Sequence, residues 1–309
     1  MKPFYYGGQA VIEGVMMRGR RQATVVVRRA DGSLLEHTET LPATLYRGRL
    51  ARLPLARGLV ALWEMLILGT RMMLFSARIH ARLEESQEIP RSVVGGMLAV
   101  SMTFAIGVFF VLPLLLARAG SAAVHGSVWA TVLEGAVRLA LFILYLALIG
   151  RLRQMNRVFQ YHGAEHKTVN AYEHGAELTV PSVQRFSTIH VRCGTAFLLW
   201  VVVISIFVFG LLGHPPILVG IVERIVLVPL IAALSYELLR VGAAFYRVSI
   251  VRFLLQPGLW LQRLTTREPS DDQVEVAIAA LRPVLLADGV ESAAIAGVDP
   301  VYRRAQVAT

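Results

Sequence analysis

The chain has 309 residues, of which 55% are hydrophobic and only 17% are charged, and its mean hydropathy is +0.57. Soluble domains carry about 25% charged residues, so this composition excludes a disordered or fibrous chain and favours a membrane protein. The single cysteine, Cys193, excludes an intramolecular disulfide, and the net charge of +10 is typical of the cytoplasmic side of a membrane.

The N-terminal segment, residues 1–53, has the pattern of a small β element. Residues 22–29 and 33–41 are strand-like and are joined by an Asp-Gly dipeptide, which suits turn positions with positive φ and predicts a β-hairpin. Ahead of this hairpin, four glycines surround the single acid Glu13, at a spacing that matches no dinucleotide or phosphate loop. We interpret this glycine segment as a buried turn that ties the hairpin to the membrane helices.

Residues 54–92 contain an amphipathic helix over residues 54–80. Arg57, Glu64, Arg71 and Arg78 recur every seven residues and draw one polar stripe along an otherwise apolar helix. Such a helix does not face lipid on all sides. We therefore expect it to be interfacial or re-entrant, or to pack its stripe into the protein.

Four segments are long and apolar enough to cross a bilayer, which takes about 20 residues of helix. They are residues 93–117, 127–150, 194–213 and 217–239. The first and third carry no charge. The second contains Glu134 and Arg138, which fall on one helical face and are expected to pair. The fourth contains Glu223, Arg224 and Glu237. The four spans form two hairpins, over residues 93–150 and 194–239.

The distribution of basic residues predicts the orientation of these spans. Lys plus Arg number ten in residues 1–57, six in 151–193 and eight in 240–309, against one between the first two spans and none in 214–216. With four spans, every basic segment lies on the cytoplasmic side of an inner membrane, together with both termini. We therefore expect a mainly α, polytopic membrane helical bundle, with membrane lipid, a protein partner or a second copy of the chain as partners, and no specific nucleic acid.

The C-terminal segment, residues 240–309, is expected to be cytoplasmic and amphipathic. Residues 245–264 are rich in arginine, contain Trp260 and suit the membrane interface. Ser270 and Gln273 form the capping-box pattern at the start of a further helix, and Gly289 marks its end.

Residues 151–193, a cytoplasmic histidine loop, carry the pattern most suggestive of chemistry. His162 and His166 are one helical turn apart, which directs both imidazoles toward one point and suits Zn²⁺ or another divalent metal. Glu165 lies beside them as a candidate general base for a metal-dependent hydrolase. His190 and Cys193 follow and are candidates to complete the ligand set.

Three other interpretations of the histidine loop remain open at this point. The loop could be a polar, hydrogen-bonded segment that packs on the membrane helices. Cys193 could instead be a nucleophile beside His190. Glu237 could supply a distant carboxylate ligand, although we expect it to pair with Arg240 or to extend toward the interface.

Several runs together resemble the YqhQ family, a bacterial membrane family classed as a domain of unknown function (1385) and sometimes labelled a predicted metal-dependent enzyme. The runs are GGQAVIEGVMMRG at 7–19, YHGAEHK at 161–167, RFST at 185–188, HVRCGT at 190–195 and LTTREP at 264–269. Val191 departs from the proline that the family usually has at this position.

The leading hypothesis is therefore a multi-pass membrane protein with a cytoplasmic metal site of His162 and His166, completed by His190 or Cys193, with Glu165 as the base. The alternative is a non-catalytic scaffold or biogenesis factor whose basic cytoplasmic face docks a partner. A three-ligand site favours catalysis, whereas a closed four-ligand site favours a structural role.

Overall fold

The computed structural model describes residues 4–41, 53–81, 90–121, 127–213, 216–290 and 302–304. The strands are β1 (Gly7–Val11), β2 (Gly14–Arg18), β3 (Gln22–Arg28), β4 (Leu34–Thr40) and β5 (Tyr302–Arg304). The helices are α1 (Ala56–His80), α2 (Arg91–Ile106), a π-helix (Gly107–Val111), α3 (Leu112–Ser121), α4 (Ser127–Ile149), α5 (Arg153–Glu173), α6 (Val180–Val183), α7 (Gly194–Leu212), α8 (Ile217–Val226), α9 (Val228–Ala244), α10 (Ser249–Thr265) and α11 (Asp271–Ala287). The chain is mainly α, with a small sheet at its N-terminus.

The predicted hairpin is confirmed as β3 and β4, which pair antiparallel with Val25 opposite His37. The interpretation of the glycine segment as a turn is wrong, because it forms two further strands, β1 and β2, that extend the sheet in the order β1-β2-β3-β4-β5. Only Ile12 and Glu13 lie between β1 and β2, and Glu13 has a φ of 52°, in the left-handed region. Glycines allow the backbones of these strands to approach closely, which the loop-like composition concealed.

The sheet is covered on both faces, which explains why β3 is buried along nearly its whole length. One face packs Val11, Met16 and Val25 against Leu68 and Met72 of α1. The other face packs against α5 and α11 in a second apolar core. The sheet therefore joins α1 to the helix that carries the histidines.

The polar stripe of α1 faces the protein, as one of the sequence interpretations predicted. Glu64 accepts hydrogen bonds from Arg18 of β2, and Arg71 pairs with Glu39 of β4. Arg57 pairs with Glu237 of α9. The expectation that Glu237 pairs with Arg240 is therefore wrong, because folding brings α1 beside α9 and presents a closer guanidinium.

Several apolar helices have the length and composition to span a membrane, which supports a membrane protein. Ser92–Gly120, which joins α2, the π-helix and α3, matches the first predicted span, and α4 and α7 match the second and third. The fourth is a pair, α8 and α9, bent by 45°. Pro229, in the first turn of α9, lacks the N–H that would continue the α8 ladder. By length and composition α1 also qualifies as a span.

Three charged side chains, the span cluster of Glu134, Arg138 and Arg224, are buried among these apolar helices. The predicted pairing of Glu134 with Arg138 is confirmed at 2.7 Å, and Arg224 bonds the same carboxylate at 2.6 and 3.0 Å. The remaining Arg138 donors reach the Phe109 carbonyl oxygen at 2.8 Å and the Ser205 hydroxyl at 2.7 Å. Phe109 lies in the π-helix, a widened helical turn of a type that is frequent at functional sites.

The two C-terminal helices follow the sequence pattern. Ser270 and Gln273 form the capping box at the start of α11, where the Ser270 N–H donates to Gln273 Oε1 at 3.0 Å. Gly289, with φ of 81°, follows the end of the helix. Helix α10 packs closely on α7, with the Gly258 position beside Ala196.

Candidate metal centre

Helix α5 presents both histidines of the predicted pair. It runs from Arg153 to Glu173, is buried along most of its second half, and is followed by Gly175 with φ of 68°. The ring centroids of His162 and His166 are 4.4 Å apart, as expected for residues one turn apart on one helical face. The helix thus presents two imidazoles to the same space.

Cys193 is brought to this pair by the start of α7. It is the N-cap residue of that helix, and its Sγ accepts a hydrogen bond from the Thr195 N–H at 3.4 Å. Its Sγ lies 3.4 Å from His162 Nε2. One ligand atom from each of His162, His166 and Cys193 lies within 4.8 Å of the other two. We call these three residues the metal cluster.

Backbone carbonyls fix both rings of the metal cluster. His162 Nδ1 lies 2.9 Å from the Thr265 carbonyl oxygen, and His166 Nδ1 lies 2.6 Å from that of Thr188. A carbonyl oxygen only accepts, so each Nδ1 carries the proton. Each Nε2 can therefore bind a metal once it has lost its own proton, the arrangement in which metal-binding histidines are usually oriented.

The segments that carry the Thr265 and Thr188 carbonyls are also held against α5. The Arg267 N–H donates to the Phe159 carbonyl oxygen at 2.9 Å, and a Cβ at Gly163 would lie 2.1 Å from the Arg267 carbonyl oxygen. A side chain at position 163 would therefore push the α10 end away from α5. On the other side, Asn170 donates to the carbonyls of Ser187 and Ile189 at 2.8 and 3.0 Å.

Glu165 lies beside the metal cluster and is held from the N-terminal sheet. Its Oε1 accepts a hydrogen bond from the Gly8 N–H at 2.9 Å, and its Oε2 lies 3.5 Å from His166 Nε2. A Cβ at Gly8 would lie 2.1 Å from the Met16 carbonyl oxygen, so this position requires glycine. The role of Gly8 in holding Glu165 was not predicted from the sequence. The closely spaced glycines ahead of β2 were the pattern that could have indicated it.

His190 is placed near the metal cluster but outside it. Its ring centroid is 5.7 Å from that of His166, and Arg192 Nη2 lies 3.4 Å from its Nε2. Arg192 also pairs with Glu173. Burial and the neighbouring His166 lower the pKa of His190 to about 4, so its ring is neutral. Its Nε2 also lies 3.3 Å from Glu173 Oε2. Its backbone N–H and carbonyl bond the buried Gln262 side chain at 2.9 and 2.8 Å.

The protonation states of the three ligand candidates depend on one another. Burial raises the pKa of the Cys193 thiol, but His162 and His166 outweigh burial and hold that pKa well below its usual value. Burial lowers the pKa of His166, but the Cys193 thiolate and Glu165 outweigh it and raise the pKa to about 9. The pKa of His162 is raised by the same thiolate against burial. A thiolate beside two protonated imidazoles can bind a metal when the imidazoles release their Nε2 protons.

The chemistry of the donor set suits a tetrahedral zinc ion. Bond lengths of about 2.0–2.1 Å to nitrogen and 2.3 Å to sulfur place neighbouring ligand atoms roughly 3.3–3.8 Å apart. The 3.4 Å separation of Cys193 Sγ and His162 Nε2 matches this spacing. The cluster supplies three protein ligands, the number typical of a site with an open fourth position. Because His162 contacts Cys193 directly, His190 is not placed as the base of a Cys193 nucleophile.

Comparisons with known proteins bear on this site. Residues 53–287 match the family described as "Protein of unknown function (DUF1385)". The chain is 32% identical over 304 residues to "Uncharacterized protein YqhQ" of Bacillus subtilis (strain 168), over 92% of this chain and 93% of that protein. No solved structure gives a significant match to the chain.

Proposed function

Because the chain belongs to the DUF1385 family, whose description assigns no activity, we propose its function from the geometry of the site: a multi-pass inner-membrane protein that acts as a metal-dependent hydrolase. The observation that carries this proposal is the convergence of His162, His166 and Cys193 within 4.8 Å, with both Nδ1 atoms bonded to backbone carbonyls. Zinc is the metal that this mixture of imidazole and thiolate favours, and another divalent ion is the alternative.

Each residue has a distinct role in this proposal. A zinc ion held by three protein ligands supplies Lewis acidity at its remaining position. Glu165 is the general base: the Gly8 N–H holds Oε1 and leaves Oε2 to take a proton from water. Thr265 and Thr188 fix the two rings through their carbonyls and keep the imidazoles in the tautomer that binds metal.

We propose that both termini are cytoplasmic and that α1 does not cross the membrane. The loop charges support four spans, and the sheet covers α1 from Met65 to Ile79. A sheet with open edges is not tolerated in lipid, which argues against placing this part of α1 in the bilayer. Reporter fusions after Arg118 and after residue 214 are expected outside the cell membrane. Cytoplasmic reporters at either position would overturn this orientation.

Metal analysis of the purified protein tests the proposed function. We expect about one equivalent of zinc per chain, and loss of that zinc in His162→Ala, His166→Ala and Cys193→Ser. His174→Ala is the matched control, because His174 is an exposed histidine that caps the same helix and lies outside the cluster. Cobalt substitution provides a second readout, since a thiolate–cobalt absorption band should disappear in Cys193→Ser.

Glu165→Gln separates the hydrolase from the scaffold alternative. As a base, Glu165 does not bind the metal, so this variant should keep the metal affinity and the three-ligand cobalt spectrum. If Glu165→Gln releases the metal, or if X-ray absorption shows four protein ligands, the site is closed and structural. The protein would then be better explained as a scaffold that docks a partner.

A further inference from the structure

The turn between β1 and β2 holds a glutamate in a conformation that side chains disfavour. Glu13 has a φ of 52°, in the left-handed region, where glycine and asparagine are usual. Its carbonyl oxygen accepts a hydrogen bond from the Arg28 N–H at 2.8 Å, and the Ile12 carbonyl oxygen accepts one from the Ser76 hydroxyl of α1. Contacts with β3 and α1 therefore hold the turn in this shape. A non-glycine residue kept in such a conformation is a candidate for a specific role of its side chain.

The Glu13 carboxylate attaches this turn to α5. Arg157 Nε and Nη2 donate to its two oxygens at 2.5 Å each, and the Tyr161 hydroxyl donates to Oε2 at 3.2 Å. Burial raises the pKa of Glu13, but the hydrogen bonds from Arg157 and Tyr161 outweigh burial and hold that pKa below its usual value. An asparagine would suit the backbone better but could not offer two oxygens to the arginine. The contact with α5 therefore explains why the turn carries a glutamate.

The β1–β2 hairpin is attached to α5 a second time, through Gly8. Arg157, Tyr161 and Glu165 follow one another at four-residue intervals and share one side of the helix. The first two hold Glu13, and the third accepts a hydrogen bond from the Gly8 N–H at 2.9 Å. Strand β1 is at the edge of the sheet, which leaves this N–H available to α5. Because a strand rises about 3.3 Å per residue, a shift of the hairpin by one residue along α5 would break this bond.

We propose that Glu13 is a positioning residue for Glu165. Its pairing with Arg157 fixes the β1–β2 hairpin along α5, which places the Gly8 N–H at Glu165 Oε1. Glu165 Oε2 then remains beside His166. The Arg157 side chain is 49% exposed, so the ion pair adds little to the stability of the fold, and its contribution is the position of the hairpin. The inference rests on the proposed function only where Glu165 is the general base.

The Gly8 N–H provides a signal for this hydrogen bond that needs neither metal nor substrate. Gly7 with Gly8 and Gly95 with Gly96 are the only adjacent glycine pairs in the chain. If glycine is labelled with ¹³C at the carbonyl and with ¹⁵N, an NMR experiment that links each N–H to the preceding carbonyl shows only Gly8 and Gly96. An amide proton that donates to a carboxylate resonates downfield. Glu165→Gln should therefore move the Gly8 signal upfield and leave Gly96, on α2, unchanged.

Removing the Glu13 carboxylate should move the same signal. Glu13→Asn suits the left-handed backbone of the turn and removes the two-point contact with Arg157. Arg157→Gln removes this contact from the other side, at a half-exposed position where the fold tolerates the change. Both variants should move the Gly8 signal upfield, toward its position in Glu165→Gln. Glu13→Asn should cause no further movement when it is combined with Glu165→Gln, because both changes act on one hydrogen bond.

Glu39→Gln is the matched control, because Glu39 is in the same sheet but pairs with Arg71 of α1. It should leave the Gly8 signal in place. Exchanging the two charges tests the contact itself. Glu13→Arg combined with Arg157→Glu restores an ion pair between the turn and α5, so the Gly8 signal should return toward its original position.

Two results would overturn the proposal and leave the proposed function standing. One is a Gly8 signal that is unchanged in Glu13→Asn and Arg157→Gln, and the other is a signal that stays displaced when the two charges are exchanged. Absence of bound zinc from the purified protein would instead remove the proposed function. The Gly8 signal would still decide whether Glu13 positions Glu165.

Discussion

The span cluster and the metal cluster are both buried and polar, yet they use their polar atoms in opposite ways. In the span cluster, Glu134 receives both arginines, and the remaining guanidinium donors bond the Phe109 and Gly220 carbonyls and the Ser205 hydroxyl. In the metal cluster, each imidazole bonds a backbone carbonyl through Nδ1 and turns Nε2 toward the Cys193 thiolate. The first network is closed, whereas the second brings three metal-ligating atoms together in one space.

This difference separates a structural network from a site with chemistry. A buried charge is tolerated when it is paired and hydrogen-bonded, and every guanidinium nitrogen of the span cluster has a partner among the described residues. A metal site instead needs ligand atoms that lie close together and can bind an ion once their protons are released. Both clusters are buried, so burial does not distinguish them. They differ in whether their ligand atoms converge on one space.

The largest expected effect is the loss of Glu134. Glu134→Ala leaves Arg138 and Arg224 charged and unpaired among apolar helices, so it should destabilise the protein by about 3–5 kcal/mol. Denaturant unfolding in detergent measures the change, and Glu177→Ala, at an exposed position, should change the unfolding free energy by less than about 0.5 kcal/mol. Metal content should be unchanged, since the metal cluster does not use Glu134.

Replacing the whole span cluster sharpens the same comparison. Glu134→Leu, Arg138→Met and Arg224→Met together remove the charges as well as their partner. The triple variant should therefore be more stable than Glu134→Ala. A triple variant as unstable as Glu134→Ala would show that the network contributes more than charge pairing.

Metal binding should stabilise the folded chain by the next largest amount. At a free zinc concentration 100 times the dissociation constant, the expected gain is about 2.7 kcal/mol. Thermal unfolding with zinc and with a chelator measures this gain. His166→Ala should abolish it, and His174→Ala should keep it. An equal gain in His166→Ala would place the metal elsewhere.

Metal affinity should rise with pH. Because the pKa of His166 is raised to about 9, its Nε2 carries a proton below that pH and must lose it before binding. We expect affinity to rise about tenfold per pH unit for this proton between about pH 6 and 9, then level off. The raised pKa of His162 steepens the dependence, and the lowered pKa of Cys193 does not, since the thiolate is already formed.

Chelator competition at several pH values measures this slope. His190→Asn is the matched control, since the pKa of His190 is lowered to about 4 and its ring is neutral throughout this range. A flat dependence would contradict protonated imidazoles in the metal-free cluster. A changed slope in His190→Asn would instead make His190 a ligand.

The smallest effect is expected at Thr195. Thr195→Val removes the hydrogen bond to Thr265 that joins α7 to α10, at a cost of about 1 kcal/mol. Because Thr265 also orients His162, metal affinity should fall as well, by roughly 10-fold or more. Ser205→Ala, which removes a hydroxyl that bonds Arg138 of the span cluster, should reduce stability without changing metal affinity. Unchanged metal affinity in Thr195→Val would make the Thr195–Thr265 link purely structural.

The sequence predicted those features that depend on local periodicity and charge. Apolar length predicted the spans, the seven-residue stripe predicted a polar face of α1 that turns toward the protein, and the four-residue spacing predicted the pairing of Glu134 with Arg138. The same spacing placed His162 and His166 on one helical face. Each of these features is determined by residues within a few turns of one another, so the helix alone fixes the geometry.

Tertiary structure decided what depends on contacts between distant segments. Gly8 lies 157 positions from Glu165, and Glu237 lies 180 positions from Arg57, so no local period could reveal either bond. The choice of Cys193 over His190 beside His162 was likewise decided by the position of the α7 N-terminus on α5. A glycine segment became two strands because α1 and the α5–α11 pair cover both faces of the sheet, and only packing supplies that burial.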